Sequence, residues 1–107
     1  ESEEEYLSSI IERLNERFGT DFTKADQLSV EQIKEEFAAD KDLVLKAKTN
    51  TIDDFKLAFE KVFINKVVDR MDQNRTFFTR VLDDEQFRNA LMEYMLTETY
   101  EKLNRGA

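Results

Sequence analysis

The pattern Asp54-Phe55-Lys56, which follows a further acid at Asp53, has the composition of a metal-dependent nuclease site. In such enzymes an acid-x-Lys triplet holds a divalent cation on its carboxylates, and the lysine assists the chemistry on the phosphodiester. That arrangement belongs on adjacent strands, whereas the helical spacing of the residues that follow predicts that Asp53 and Asp54 lie in the first turn of a helix. The helix dipole alone favours acids there, so we interpret both as helix-capping residues.

Two further groups carry oxygen atoms that suit a cation. Asp69, Asp72 and Asn74 have part of the spacing of a calcium loop, but the loop glycine and the glutamate at its twelfth position are absent. The run Asp83-Asp84-Glu85 stands where a helix is expected to start, and acids are favoured there without a bound ion. We therefore interpret both groups as solvated helix ends.

The residue types that catalysis uses most are missing from the chain. It contains no His and no Cys, which removes the usual zinc and copper ligands and the commonest general base near neutral pH. Without Cys, nothing points to an oxidising compartment. The two glycines, Gly19 and Gly106, cannot form a loop that cradles a phosphate, so ATP hydrolysis is not expected within these residues. We expect no catalytic residue, cofactor or metal in this chain.

A local excess of positive charge predicts a surface that contacts DNA or a partner. The formal net charge of the whole chain is -8, which argues against a simple nucleic-acid-binding module. Residues 1–60 hold 16 acids and 8 bases, but residues 61–107 hold 8 of each. The candidate contact residues are the bases that outnumber the acids within residues 61–82: Lys61, Lys66, Arg70, Arg75 and Arg80.

Two aromatic residues, Phe77 and Phe78, lie between the last two of these bases. Aromatic rings flanked by bases are the ingredients of stacking on single-stranded nucleic acid. The alternative is that these rings belong to the hydrophobic core, and we favour the core interpretation for both.

Apolar residues recur at helical spacing along the whole chain, which has no Pro and is 40% hydrophobic. We predict a first helix over about Glu3 to Phe18, ended by Gly19. A second helix opens at Thr23, or two shorter pieces form, since Ser29 and Gln32 also match a capping pattern. Later elements are a short helix capped by Asp40, a longest helix from Thr51 to about Gln73, a turn-rich element over Phe77 to Leu82, and a final helix from Asp83.

These helices must bury their apolar faces against one another. In the second helix we expect Leu28, Ile33 and Phe37 to be buried. The longest helix has one apolar stripe (Ile52, Phe55, Phe59, Val62, Phe63, Val67 and Met71) and a second apolar face (Leu57, Ile64 and Val68), which predicts a central helix with partners on two sides. The sequence therefore predicts an all-α fold: residues 1–107 form one domain, a compact bundle of five or six helices.

The segment Ile10–Thr23, with the sequence IIERLNERFGTDFT, resembles the C-terminal region of the restriction (R) subunit of type I restriction-modification enzymes. The resemblance spans essentially the whole chain and continues in Glu31-Gln32-Ile33, in Asp69-Arg70-Met71 with Asn74, and in Leu82-Asp83-Asp84 with Phe87. It implies that the chain is the C-terminal fragment of a longer subunit, and the absence of Met at position 1 agrees with that expectation.

The resemblance also implies a function. R subunits belong to ATP- and Mg-dependent site-specific deoxyribonucleases, and they carry a nuclease domain and helicase-type motor domains that translocate DNA. The helical C-terminal region is thought to dock the subunit onto the modification (methyltransferase) and specificity subunits. None of the family's catalytic motifs lies in this chain, so the implied role here is docking without catalysis.

Two alternatives remain open at this point. The Lys61–Arg80 region could guide DNA past the motor, or the chain could be an intramolecular helical brace. Cytoplasmic localisation is the default, and no apolar run approaches the roughly 20 residues of a membrane-spanning helix.

Overall fold

Six α-helices and one short 3₁₀ helix make up the chain in a computed structural model, which describes residues 2–105. The α-helices are α1 (Glu3–Phe18), α2 (Lys24–Phe37), α3 (Lys41–Thr49), α4 (Ile52–Asp69), α5 (Arg75–Asp83) and α6 (Glu85–Asn104), and the 3₁₀ helix is Met71–Gln73. No strand occurs within this range. The predicted all-α bundle of five or six helices is confirmed. Glu1 and Gly106, which were considered above, lie outside the described residues.

Polar side chains and one glycine set the helix ends, because the chain has no proline to break a helix. Gly19 ends α1 in the left-handed conformation with φ 65°, and its N–H donates to the carbonyl of Asn15. At several helix starts a side-chain oxygen accepts the third N–H of the new helix, as at Ser2, Asp40, Thr51, Asn74 and Asp84. The predicted caps Asp40 and Thr51 are confirmed.

The core lies around α4 and α6, which together contact all four other helices. Along α4 the residues Phe55, Phe59, Phe63 and Val67 are fully buried, as the predicted apolar stripe requires. The Phe59 ring lies 4.9 Å from that of Phe37 on α2 and 5.8 Å from that of Phe55. This aromatic row fixes the distance between α2 and α4.

A second aromatic cluster joins the loop after α1 to α5 and α6. The Phe22 ring meets the Phe77 ring edge-on at 5.0 Å, and the Phe18 ring meets the Phe87 ring at 5.4 Å. Phe77 and Phe78 are each 1% exposed, so the core interpretation is confirmed. The interpretation in which nucleic-acid bases stack on these rings is wrong.

Several predicted boundaries differ from the structure. The second helix is one element, because Thr23 and Asp26 cap its start and no break follows at Ser29. The fourth helix ends at Asp69, and the separate 3₁₀ helix covers the residues up to Gln73. Residues 75–83 form a regular α-helix rather than a turn-rich element.

The last helix also differs from its prediction. Its cap is Asp84, not Asp83, because the Asp84 carboxylate accepts the Phe87 N–H at 3.1 Å. With 20 residues it exceeds the 18 of α4, so the prediction that α4 is the longest helix is wrong.

The buried face of α2 is rotated relative to the prediction. Ile33 and Phe37 are buried as expected, but Leu28 is 53% exposed. Gln27 occupies the interior position instead, where its side-chain amide donates to the Glu4 carbonyl at 3.1 Å. A satisfied amide is thus buried while the neighbouring leucine faces outward.

Candidate interaction surfaces

The candidate contact bases are mostly paired with acids of the same chain. Arg70 places its guanidinium 2.6 Å from the Glu36 carboxylate, and Lys66 lies 3.6 Å from the same carboxylate. These two bases therefore share one acid on α2. Their charge stabilises the α2–α4 contact and is largely neutralised at the surface.

The two bases on α5 are held in the same way. Arg75 pairs with Asp72, and the Arg80 guanidinium donates to the Asp84 carboxylate at 2.8 Å. Arg80 also lies over the Phe87 ring, 5.2 Å from its centroid. Of the five candidates, Lys61 is the one with no acidic partner within residues 2–105. The predicted bases therefore do not form a continuous, unpaired basic stripe.

The acidic groups considered for cation binding occupy helix ends. Asp53 and Asp54 lie in the first turn of α4, where the Asp54 N–H donates to the Thr51 hydroxyl at 3.3 Å. The Asn74 amide donates to the Asp26 carboxylate at 2.8 Å and ties the start of α5 to α2. Among the described residues, no group of three or more acids is placed to hold a metal ion. Asp54 thus takes part in the hydrogen bonds at the start of α4, and Asp53 lies in the same first turn, as the capping interpretation predicts.

The outward face of α4 carries an apolar row formed by Leu57, Ile64 and Val68. With 3.6 residues per turn, these three positions lie within about 40° of one another around the helix axis. Leu57 is 70% exposed and Val68 is 54% exposed. As predicted for a central helix, α4 contacts α2, α3, α5 and α6, but on this face Leu57 and Val68 stay exposed within residues 2–105 and Ile64 is only partly buried. Lys61 lies on the same side of the helix.

Acids border this row. Asp53, Asp54 and Asp69 on α4 are all exposed. Beside the row, α3 and α4 form an open groove lined by Leu43, Lys46 and Leu57 among others. An exposed apolar strip with a charged rim is typical of a protein-contact surface.

A buried lysine, Lys34 on α2, was not identified from the sequence. Its side chain is 3% exposed, and its ammonium lies 2.5 Å from the Glu98 carboxylate and 3.3 Å from that of Glu3. The ammonium also lies 5.0 Å from the centroid of the Tyr6 ring. This contact ties α2 to α1 and α6. The sequence does indicate this position, because Lys34 follows Val30 by four residues and precedes Phe37 by three. It therefore lies on the apolar face of α2.

The stabilisation that the Glu3 carboxylate contributes is expected to be lost in acid. Burial on its own raises the pKa of the Glu3 carboxyl, but hydrogen bonds and charge from Lys102 and Lys34 outweigh it and hold the pKa below the ordinary value of 4.5. The folded chain thus prefers the carboxylate, so the resulting stabilisation is present above pH 4.5 and is lost as the pH falls through the folded-state pKa.

We therefore expect the urea midpoint of the unaltered chain to fall more steeply below pH 4.5 than that of a Glu3→Gln variant. Circular dichroism at a series of pH values measures both curves. Parallel curves for the two proteins would show that Glu3 makes no such contribution.

Comparisons with known proteins give no match. No protein-family model, no curated protein and no solved structure matches the chain. None of the helices described here is both long and apolar enough to cross a bilayer. The resemblance to type I R subunits therefore stays a prediction that depends on the residues named in the sequence analysis.

Proposed function

We propose that this chain is a non-catalytic assembly domain that docks other protein subunits on the outward face of α4. The observation that supports it is the apolar row of Leu57, Ile64 and Val68, in which Leu57 and Val68 are exposed and Ile64 is partly buried, on a helix whose opposite face is fully buried. Burial of these side chains against a partner contributes about 25 cal/mol per Å² of apolar area removed from water. Since α4 is anchored in the core, the row is presented on a rigid element and little ordering is needed on binding.

The family resemblance supplies the partners. Following it, the chain is the C-terminal part of a type I restriction R subunit, and it contacts the modification and specificity subunits in the cytoplasm. The net charge of -8 gives the domain an acidic field, which would steer it toward basic partner surfaces. The ATP- and Mg-dependent translocation and cleavage of DNA would then reside in other parts of the subunit.

The alternative in which the Lys61–Arg80 region guides DNA receives less support. Basic side chains that bind DNA do so by neutralising its phosphates and releasing the counterions of the DNA. Lys66, Arg70, Arg75 and Arg80 are already paired with acids of this chain, so contacts to DNA would have to compete with those pairs.

The docking proposal predicts that a full-length R subunit with Leu57→Asp and Val68→Asp binds the modification and specificity subunits at least about tenfold more weakly. A carboxylate placed on the row would be buried without a partner, and a loss of about 1.4 kcal/mol already corresponds to tenfold in affinity. Both positions are exposed, so the fold should tolerate the changes. Pull-down with titrated subunits measures the affinity.

The matched control is Leu28→Asp, which also places a carboxylate at an exposed leucine but on α2. It is expected to bind like the unaltered subunit. Full assembly by the double variant, or by an R subunit lacking residues 1–107, would contradict the proposal.

A further inference from the structure

A pocket of about 200 Å³ lies where the start of α1, the end of α2 and the C-terminal part of α6 meet. Phe37, Ala38 and Leu103 provide most of its apolar wall. None of the lining residues belongs to α4, so the pocket is separate from the proposed docking face. Its existence does not depend on the proposed function.

The pocket contains a buried hydroxyl with no internal partner. Thr99 lines the pocket and is 3% exposed, and its Oγ1 has no hydrogen-bond partner among residues 2–105. Buried polar groups in native proteins are nearly always paired, because leaving one unpaired costs its full desolvation. A ligand with one hydroxyl group could satisfy this atom as donor or acceptor.

The charges around the pocket are balanced. Lys34 and Lys102 line it together with Glu3 and Glu35. The Lys34 ammonium lies within ion-pair distance of Glu98 and Glu3, although it makes no directed hydrogen bond among residues 2–105. The Lys102 ammonium lies 3.1 Å from the Glu3 carboxylate. Both lysines already have acidic partners, so the pocket offers no free cation to an anionic ligand. Glu35 has no ion pair among residues 2–105, but it is exposed and solvent screens its charge. An uncharged ligand fits it better.

The volume limits the size of such a ligand. Engineered apolar cavities of about 150 Å³ bind benzene. A pocket of about 200 Å³ therefore accommodates a six-membered ring with one or two additional heavy atoms.

We propose that this pocket binds small uncharged phenols: a six-membered ring against Phe37 and Leu103, with the ligand hydroxyl bonded to the Thr99 hydroxyl. The ring would replace water at the apolar wall, and the hydroxyl would satisfy the one unpaired polar atom of Thr99. Lys34, Lys102 and Glu3 keep their ion pairs in the bound state.

The test is an NMR titration of the chain with 4-methylphenol and, as the matched probe without a hydroxyl, toluene. Saturable shifts are expected for the amides of residues 34–38 and 99–103 with both probes, and 4-methylphenol should bind more tightly. Thr99→Val keeps the shape but removes the hydroxyl, so it should weaken 4-methylphenol about five- to tenfold and leave toluene unchanged. Ala38→Leu, at the exposed end of α2, should reduce binding of both probes by filling the pocket.

Three results would overturn the proposal: shifts that do not saturate, shifts that map elsewhere, or equal binding of 4-methylphenol by the Thr99→Val variant. Circular dichroism shows whether each variant is folded. Should Thr99→Val fail to fold, the comparison of the two probes on the unaltered chain and on Ala38→Leu decides the question. In that case no preference for 4-methylphenol, or binding to Ala38→Leu as tight as to the unaltered chain, would contradict the proposal.

Discussion

Replacing Phe59 with alanine is expected to lower the free energy of unfolding by about 3–5 kcal/mol. The Phe59 ring is fully buried at the centre of α4, and it contacts the rings of Phe37, Phe55 and Phe63 at 4.9, 5.8 and 6.2 Å between centroids. Removing the ring loses the free energy gained when it moves from water into the core. It also leaves a cavity that the stiff neighbouring rings cannot fill. Domains of this size have a total stability of about 5–15 kcal/mol, so the loss removes a substantial share of the total. Urea unfolding followed by circular dichroism measures the difference.

The control for this change is Leu57→Ala, two residues earlier on the same helix. Leu57 is 70% exposed, so its truncation should change the stability by no more than about 0.5 kcal/mol. A similar loss for both variants would mean that the faces of α4 are assigned wrongly. The same variant also shows whether the docking row can be altered without disturbing the fold.

The contrast between these two residues shows what helical periodicity can and cannot predict. The spacing of Phe55, Phe59 and Phe63 predicts one buried stripe, and the structure confirms it. Leu57, Ile64 and Val68 also recur at helical spacing, yet within the described residues Leu57 and Val68 stay exposed and Ile64 is only partly buried. Periodicity locates apolar faces of a helix, but the tertiary arrangement decides which of them are covered.

The basic residues show a second limit. Counting charges within residues 61–82 predicts a positive stripe, because a local window does not include acids that are distant in sequence. Glu36 precedes Arg70 by 34 residues and still forms its ion pair. Caps are different, because their partners lie three residues away, which is why Asp40 and Thr51 could be identified from the sequence.

Replacing Lys34 with alanine is expected to lower the free energy of unfolding by about 2–3 kcal/mol. Removing one partner of a buried ion pair costs about 3–5 kcal/mol when the other charge stays buried and unpaired. Here the loss should be smaller, because the side chains of Glu3 and Glu98 are each just over one-third exposed and remain accessible to water. Urea unfolding at pH 7 measures the change.

Lys24→Ala is the matched control, since Lys24 also joins α2 to the first turn of α1. Its ammonium lies 2.9 Å from the Glu4 carboxylate, but both side chains are exposed, with fractions of 73% and 67%. Exposed pairs of this kind contribute little because solvent screens both charges, so this variant should remain close to the unaltered chain in stability. Equal losses for the two lysines would show that burial of Lys34 has no special effect.

A double variant separates the unpaired charge from the lost packing. Lys34→Met with Glu98→Leu removes both main partners of the 2.5 Å contact and replaces them with apolar side chains of similar length. Because apolar replacement of a buried pair is often neutral or stabilising, the double variant should recover most of the stability lost in Lys34→Ala, while Glu3 keeps its pair with Lys102. If the double variant is as unstable as Lys34→Ala, an unpaired Glu98 charge is not the source of the loss.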